Sequence, residues 1–377
     1  MIAATAAFSG CAAAPEDDGP TGQVSEAIGG PPSLPQDPPW IANQPPDTLA
    51  FSVHHDGIRV RRNEVEQNKL TGPQFIGSSY IEAASDNDRA VDAFYPGAGG
   101  TMQHLGTRDN GYSFWHDDWG KPANTTLFGR PGVTFQRGTD VVEVYTMARR
   151  DFVRTFGIFR RRYSIKQQFI TDWELVADVS PAVTEAVTGP NRDPITLPEP
   201  TEGVAVTSWG AGRIDLFVLH LTTSPADRPL FHMWTGDSGA HWGQEYWPAP
   251  GAASWKGHVR AVTRGFDRLD IFYEGEDIRA NGVTYASLET FRYERGALWR
   301  EFPLWAQKCD YSHSSFFSGA AFANHYGSEW VQVKWNCYGQ EYRMTRRNAS
   351  YTEAYAPLPR PNWWPGYDTG SFVFVAR

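Results

Sequence analysis

From about residue 49 to the C-terminus, apolar and polar positions alternate in short runs broken by Gly, Asp or Asn. That pattern predicts β-strands joined by tight turns. The runs recur in one order. A short strand leads through a turn into a second strand written apolar, acid, apolar, aromatic. Ile81-Glu82-Ala83-Ala84 leads to Val91-Asp92-Ala93-Phe94-Tyr95. Gly132-Val133-Thr134-Phe135 leads to Val142-Glu143-Val144-Tyr145. Val204 to Gly210 leads to Ile214-Asp215-Leu216-Phe217-Val218, and Val259 to Val262 leads to Leu269-Asp270-Ile271-Phe272-Tyr273. A fifth copy, Ala321-Phe322-Ala323 before Trp330-Val331-Gln332-Val333, lacks the acid.

Val91 and Val142 are 51 positions apart, and Ile214 and Leu269 are 55 apart. The gap of 72 from Val142 to Ile214 holds a Pro-rich insertion near 178–202. This is the spacing of four-stranded blades plus loops, so the expected fold is all-β, a β-propeller. Such a ring must close or leave sheet edges open. The alternating C-terminal run Gly370 to Arg377 reads as the first strand of a blade. Its other strands would be Leu49 to His54 and Ile58 to Arg61, joined through Asp56-Gly57, a hairpin signal. Five internal units and one composite make six blades; a further unit within 146–202 would make seven. The acid of each repeat is expected to accept backbone or Arg hydrogen bonds between blades. Arg160-Arg161-Arg162 reads as a solvated strand edge, with an anion site as the alternative.

Composition sharpens this picture. Aromatics are 14% of 377 residues, with 15 Trp, 36 Gly and 27 Pro. Those residues suit many short strands and turns and leave little room for helix. The net charge of −9 argues against nucleic acid as a partner. No run of 18 apolar residues forms a membrane span. His54-His55 points to opposite faces of a strand, so no metal site is expected there. No phosphate loop, Rossmann glycines or zinc-protease helix is present, and no cofactor is expected.

The start of the chain is of a different kind. Residues 1–11, MIAATAAFSGC, resemble the end of a bacterial lipoprotein signal, in which Cys11 would carry the lipid. Residues 12–47 are rich in Pro, Gly and acids, and read as a disordered tether. Residues 48–377 would then form a single propeller domain. The expected location is exported, at a bacterial cell envelope or outside the cell, with membrane attachment only through the anchor. The remaining cysteines, Cys309 and Cys337, form a plausible disulfide.

Two turns share a signature. Thr107-Arg108-Asp109-Asn110-Gly111-Tyr112-Ser113-Phe114 and Thr235-Gly236-Asp237-Ser238-Gly239-Ala240-His241-Trp242 both fit S/T-x-D-x-G-x-x-aromatic. They resemble the Asp-box of sialidases and other propellers. Asp109 and Asp237 would accept turn N–H bonds, and Gly111 and Gly239 would take a positive φ. The segment Val206-Thr207-Ser208-Trp209-Gly210-Ala211-Gly212-Arg213-Ile214-Asp215-Leu216-Phe217-Val218 resembles the repeat of the PLL-type bacterial propeller lectins. Leu230-Phe231-His232-Met233-Trp234 and the Gly-rich turn before Trp242 follow where that family places them. The resemblance implies a propeller that binds sugars, often fucose or methylated sugars, in pockets between blades.

Glycans or glycoconjugates are therefore the expected partners. Sugars present C–H faces to aromatic rings and hydroxyls to charged groups. The third repeat offers Trp209, Arg213, Trp234, Trp242, Glu245, Tyr246 and Trp247. The first offers Trp115 and Trp119, with His116 and Asp117 between them. Any of these Trp could equally pack between blades. Two other functions fit the same scaffold: a glycan-cleaving, sialidase-like hydrolase, and a non-catalytic protein-binding propeller. No local motif assigns catalytic residues, so an enzyme is not the leading reading.

Overall fold

The computed structural model describes residues 46–63, 65–75, 80–86, 89–151, 156–178, 203–219, 230–247, 254–265, 268–278, 284–294, 297–301, 309–310, 316–325, 328–337, 340–347, 350–357 and 371–375. Three strands come first: β1 (Asp47–His54), β2 (Gly57–Arg62) and β3 (Val65–Leu70). The first blade is β4 (Glu82–Ser85), β5 (Val91–Pro96), β6 (Met102–Thr107) and β7 (Trp115–Asp118). The second is β8 (Thr125–Phe135), β9 (Val141–Arg150) and β10 (Phe156–Ser164), with β11 (Phe169–Ile170) and β12 (Glu174–Asp178) both paired to β10. The third is β13 (Ala205–Gly210), β14 (Arg213–Leu219), β15 (Leu230–Thr235) and β16 (Gly243–Trp247). The fourth is β17 (Ser254–Gly265), β18 (Arg268–Ile278), β19 (Thr284–Glu294), β20 (Ala297–Glu301) and β21 (Cys309–Asp310). The fifth is β22 (Phe316–His325), β23 (Ser328–Cys337), β24 (Gln340–Arg347) and β25 (Ser350–Pro357). The last strand, β26 (Ser371–Val375), pairs with β1 and completes the sixth sheet in the order β26, β1, β2, β3.

The inner strands touch in a closed circuit: β4, β8, β13, β17, β22, β26 and back to β4. Six sheets around one axis make an all-β propeller closed by its own C-terminal strand. The hairpin of β1 and β2 turns through His55 and Asp56, with Gly57 as the first residue of the returning strand at φ 138°. Residues 146–178 complete the second blade rather than adding a seventh; 179–202 lie outside the described residues. So do 1–45, with Cys11 and the proposed tether. Cys309 and Cys337 lie on the fourth and fifth blades, and their side chains are also outside the described residues.

Each blade buries both faces of its second strand, because it packs against a neighbour on either side. Leu49, Phe51 and Val60 of the sixth blade pack with Val91, Ala93 and Leu105 of the first. Phe94 and Trp119 of the first pack with Val142 and Val144 of the second. Tyr145 and Ile158 of the second pack with Leu216 and Met233 of the third, and Phe217 and Trp247 of the third pack with Leu269 and Tyr273 of the fourth.

That packing leaves the repeated acid fully buried, and its partners lie within its own blade rather than across blades. Asp92 accepts from His104 at 2.8 Å and Arg108 at 3.0 Å. Asp215 accepts from Arg213 at 2.6 and 3.0 Å and meets His232 at 3.0 Å. Glu143 accepts from the Tyr145 hydroxyl, and Asp270 pairs with Arg264 at 2.9 Å. A buried carboxylate must be paired, and the neighbouring strand supplies the nearest donor. Gln332 takes the place in the fifth blade. Arg160 is likewise no solvated edge. It is buried, donates to Glu174 at 2.7 Å, and ties the second blade to the third through Ser238 O at 2.8 Å. Arg161 donates to Trp119 O and stacks between Trp119 and Trp173.

The two long turns share one hydrogen-bond pattern. Thr107 Oγ1 donates to Asp109 and accepts from the Gly111 N–H, as Thr235 does with Asp237 and Gly239. Asn110, Gly111, Ser238 and Gly239 all take positive φ. The first turn packs on the sixth blade, where Arg62 donates to Asn110 O at 3.2 Å and Phe51 meets Phe114 edge-on. The second packs on the second blade, where Trp242 lies against Tyr145 and Arg160.

Truncation before Ser371 should remove the buried Val373 and Phe374 and reopen β1. We expect thermal unfolding to fall by about 10 °C or more, read by calorimetry. The turns should loosen in acid. Against the cost of partial burial, bonds from Ser113, Thr107 and the Tyr112 N–H hold Asp109 down at about 2. The folded value lies below the unfolded value of about 4, so this stabilisation is present above pH ~4 and is lost as pH falls towards 2. Hydrogen exchange at residues 107–114 should rise over that window, and Asp109→Asn should show the raised exchange already at neutral pH.

Candidate functional site: two open grooves between blades

The first and third blades carry the same frame on the face that meets the next blade. In the first, Asp92 and Asp117 flank His104, at 2.8 and 3.5 Å. In the third, Asp215 and Glu245 flank His232, at 3.0 and 2.9 Å. Strand register explains the match. His104 stands opposite Asp117 and beside Phe94, and His232 stands opposite Glu245 and beside Phe217. Each imidazole stacks on its Phe, with ring centroids 4.5 and 4.6 Å apart. A buried Trp, Trp119 or Trp247, packs against both the Phe and the imidazole. The inner acid is sealed while the outer acid, Asp117 or Glu245, is half exposed. The frame thus fixes an exposed carboxylate from behind.

Above each frame lie a guanidinium and an indole. Arg108 sits 4.6 Å over the Trp115 ring, which is 37% exposed. Arg213 sits 4.8 Å over Trp209 and 5.9 Å over Trp234. The two blades assemble this pair from different strands. Trp115 lies opposite Gly106, and Trp234 lies opposite Gly243. A Cβ on either Gly would fall inside van der Waals contact with the facing indole. The Arg is exchanged in the same way: Arg108 follows Thr107, whereas Arg213 precedes Ile214, the partner of Thr235. One geometry is reached by swapping residues across the strand pair.

The surroundings decide which grooves are accessible. The groove between the sixth and first blades is covered by the turn at 107–114, and that between the second and third by the turn at 235–242. The matching hairpin of the second blade folds back on its own Asp140, through Ser164 at 2.5 Å and the Lys166 N–H at 2.8 Å. In the fourth blade only two residues separate Glu294 from Ala297. The grooves after the first and third blades therefore lack a covering turn, and these are the two that carry the constellation. Side chains of the outer strands around the fifth blade lie outside the described residues.

Electrostatics reinforce the arrangement. His104 is raised, because hydrogen bonds to Asp117 and Asp92 outweigh the burial that would lower it. Asp117 is lowered, first by the hydrogen bond to His104, and also by one from Trp115. The carboxylate stays ionised and presents acceptors beside an aromatic face and a fixed donor fork. Such a set can hold a polyol: C–H bonds on the indole, hydroxyls donating to the acid and accepting from Arg. Among the described residues no cluster of His, Cys, Asp and Glu is arranged to hold a metal ion.

Of the residues expected from the sequence, Trp209, Arg213, Trp234 and Glu245 come together in one groove and Trp115 stands in the other. Three do not serve as platforms. Trp242 is the packing aromatic of a turn, and Trp247 and Trp119 are buried beside the stacked Phe and imidazole rings. The Tyr246 backbone pairs with Phe231, and its side chain is outside the described residues. Sequence reasoning passed over Arg108 and the two His. A signal was present: each His lies three residues before the Thr of its turn, and each outer acid eight after the turn Asp.

No protein-family model matches the chain, and no curated protein matches it in sequence. Solved structures do. The α-L-arabinofuranosidase Arb93A from Fusarium graminearum, in complex with an iminosugar inhibitor, has a TM-score of 0.50 at 11% identity, over 84% of this chain and 86% of that one. The SapL1 lectin in complex with α-methyl fucoside has 0.49 at 15%, over 84% and 98%. A six-bladed fungal lectin of Aleuria aurantia has 0.47 at 13%, over 82% and 90%. The likeness is one of fold. At these identities it carries nothing about ligand or reaction.

Gly106→Ala should expel the Trp115 indole from its slot. We expect the near-ultraviolet circular dichroism to lose one Trp contribution and stability to drop by about 1–3 kcal/mol, with Gly243→Ala acting alike on Trp234.

Proposed function

We propose that this protein is a lectin-like carbohydrate binder, using the grooves that follow its first and third blades. One observation carries the reading. The only two grooves left uncovered among those described are the two in which indole, guanidinium, carboxylate and imidazole recur on a common frame. Packing needs alone would not reproduce that set from different strands. The likeness of residues 206–218 to a PLL-type lectin repeat supports the same reading. The two sites sit in alternate grooves and face the same end of the ring, so a surface bearing many glycans could engage both at once. Carried on an N-terminal tether and lipid anchor, the ring would serve as an exported surface lectin.

Calorimetry with α-methyl fucoside, alongside a glycan array, tests this. We expect binding with two equivalents per chain. Arg108→Ala and Arg213→Ala should each leave one, and the double variant none. Absence of binding to every glycan on the array would overturn the proposal, as would binding that survives the double variant.

A further inference from the structure

The ring encloses a second, separate cavity on its axis, of about 510 Å³. Its far end is sealed by charge. Glu82 of the first blade reaches Arg260 of the fourth, three blades round and so on the opposite side, at 3.2 Å. Arg130 of the second blade joins them at 3.4 Å, and Ser371 of β26 donates to the same carboxyl at 3.1 Å. Burial lifts Glu82 to about 7, against the pull of Arg130 and Ser371. The well opens towards Asp86, Gly138 and Thr263, which line its other end.

The chemistry of the well is specific. Two guanidiniums, Arg260 and Arg137, and two carboxylates, Glu82 and Asp86, line it; Glu82 is engaged by Arg260 and, from outside the lining, by Arg130. Arg137 is exposed at the mouth and reaches from the second blade towards Gly265 of the fourth. Among the described residues its guanidinium makes no hydrogen bond or ion pair; its backbone N–H alone is used, donating to Ser208 Oγ. The wall between mouth and floor carries the hydroxyls of Thr134, Thr207, Ser208 and Thr263. The volume falls within the range of small-molecule sites. The planar fork of Arg137 at the mouth suits a carboxylate or phosphate. A hydroxyl-lined wall suits a polyol.

We infer that the axial well binds a small carboxylate-bearing polyol, an acidic monosaccharide, at a site distinct from the inter-blade grooves. Its carboxylate meets Arg137 at the mouth, and its hydroxyls meet the threonine and serine wall.

The test is calorimetric titration of the full chain with D-glucuronate, with D-glucose as the neutral match and inorganic phosphate as the anion lacking hydroxyls. Glucuronate should bind and glucose should not. Arg137→Gln, an exposed change that leaves the sealed floor intact, should weaken glucuronate by about tenfold or more. The Arg108→Ala, Arg213→Ala double variant should bind glucuronate as the parent does, and saturating α-methyl fucoside should not displace it. No binding of glucuronate at millimolar concentration would overturn the inference. So would indifference to Arg137→Gln, displacement by the fucoside, or phosphate binding as tightly as glucuronate. Absence of binding to every neutral glycan, with glucuronate still bound, would sink the groove reading and leave the axial site standing.

Discussion

One carboxylate ties the ring together across its axis. Glu82 joins Arg130, Arg260 and Ser371, and so links the first, second and fourth blades to the strand that closes the sixth. It adds to the apolar packing of the sixth blade on the first, Leu49, Phe51 and Val60 against Val91, Ala93 and Leu105. Main-chain pairing of β26 with β1 supplies the register, from Asp47 opposite Val375 to Phe51 opposite Ser371. The ionic cluster then fixes that strand from the axis side. Everything outward of it, including the width of the grooves, follows from blades held at a set angle.

The same logic operates inside each blade. A central strand buried on both faces cannot leave a carboxylate unpaired, so Asp92, Glu143, Asp215 and Asp270 each draw a cation or hydroxyl from the adjoining residues. In the first and third blades that partner is an imidazole, which passes the constraint outward to a second acid at the rim. In the second blade Arg160 takes the place of the imidazole, with Glu174 at the rim, and the turn of the third blade covers it. A structural need, satisfied differently from blade to blade, leaves some grooves polar and open and others closed.

Much of the architecture was legible in the residues. The apolar–acid–apolar–aromatic strands, the two Thr-x-Asp-x-Gly turns and the final alternating run each reflect local rules of strand period and turn geometry. The candidate site was legible only in part. Arg213 and Trp234 were visible because the third blade keeps a regular repeat. Arg108 and Trp115 do the same work from other strands, so no alignment of repeats brings them into register. Trp119, Trp242 and Trp247 were indistinguishable from platforms by composition, since a packing indole and a sugar-stacking indole are the same residue.

By itself the sequence determined the strand order, the composite blade and the turns, because hydrogen-bond register and φ preference act over a few residues. It also determined that the chain would be rich in aromatic groups suited to stacking. Only the tertiary structure decided which of those groups face solvent, which groove is covered by a neighbour's turn, and that Glu82 and Arg260 meet across the axis. Those outcomes depend on how six sheets pack about a common centre, a constraint that joins residues far apart in the chain and leaves no mark on any short segment.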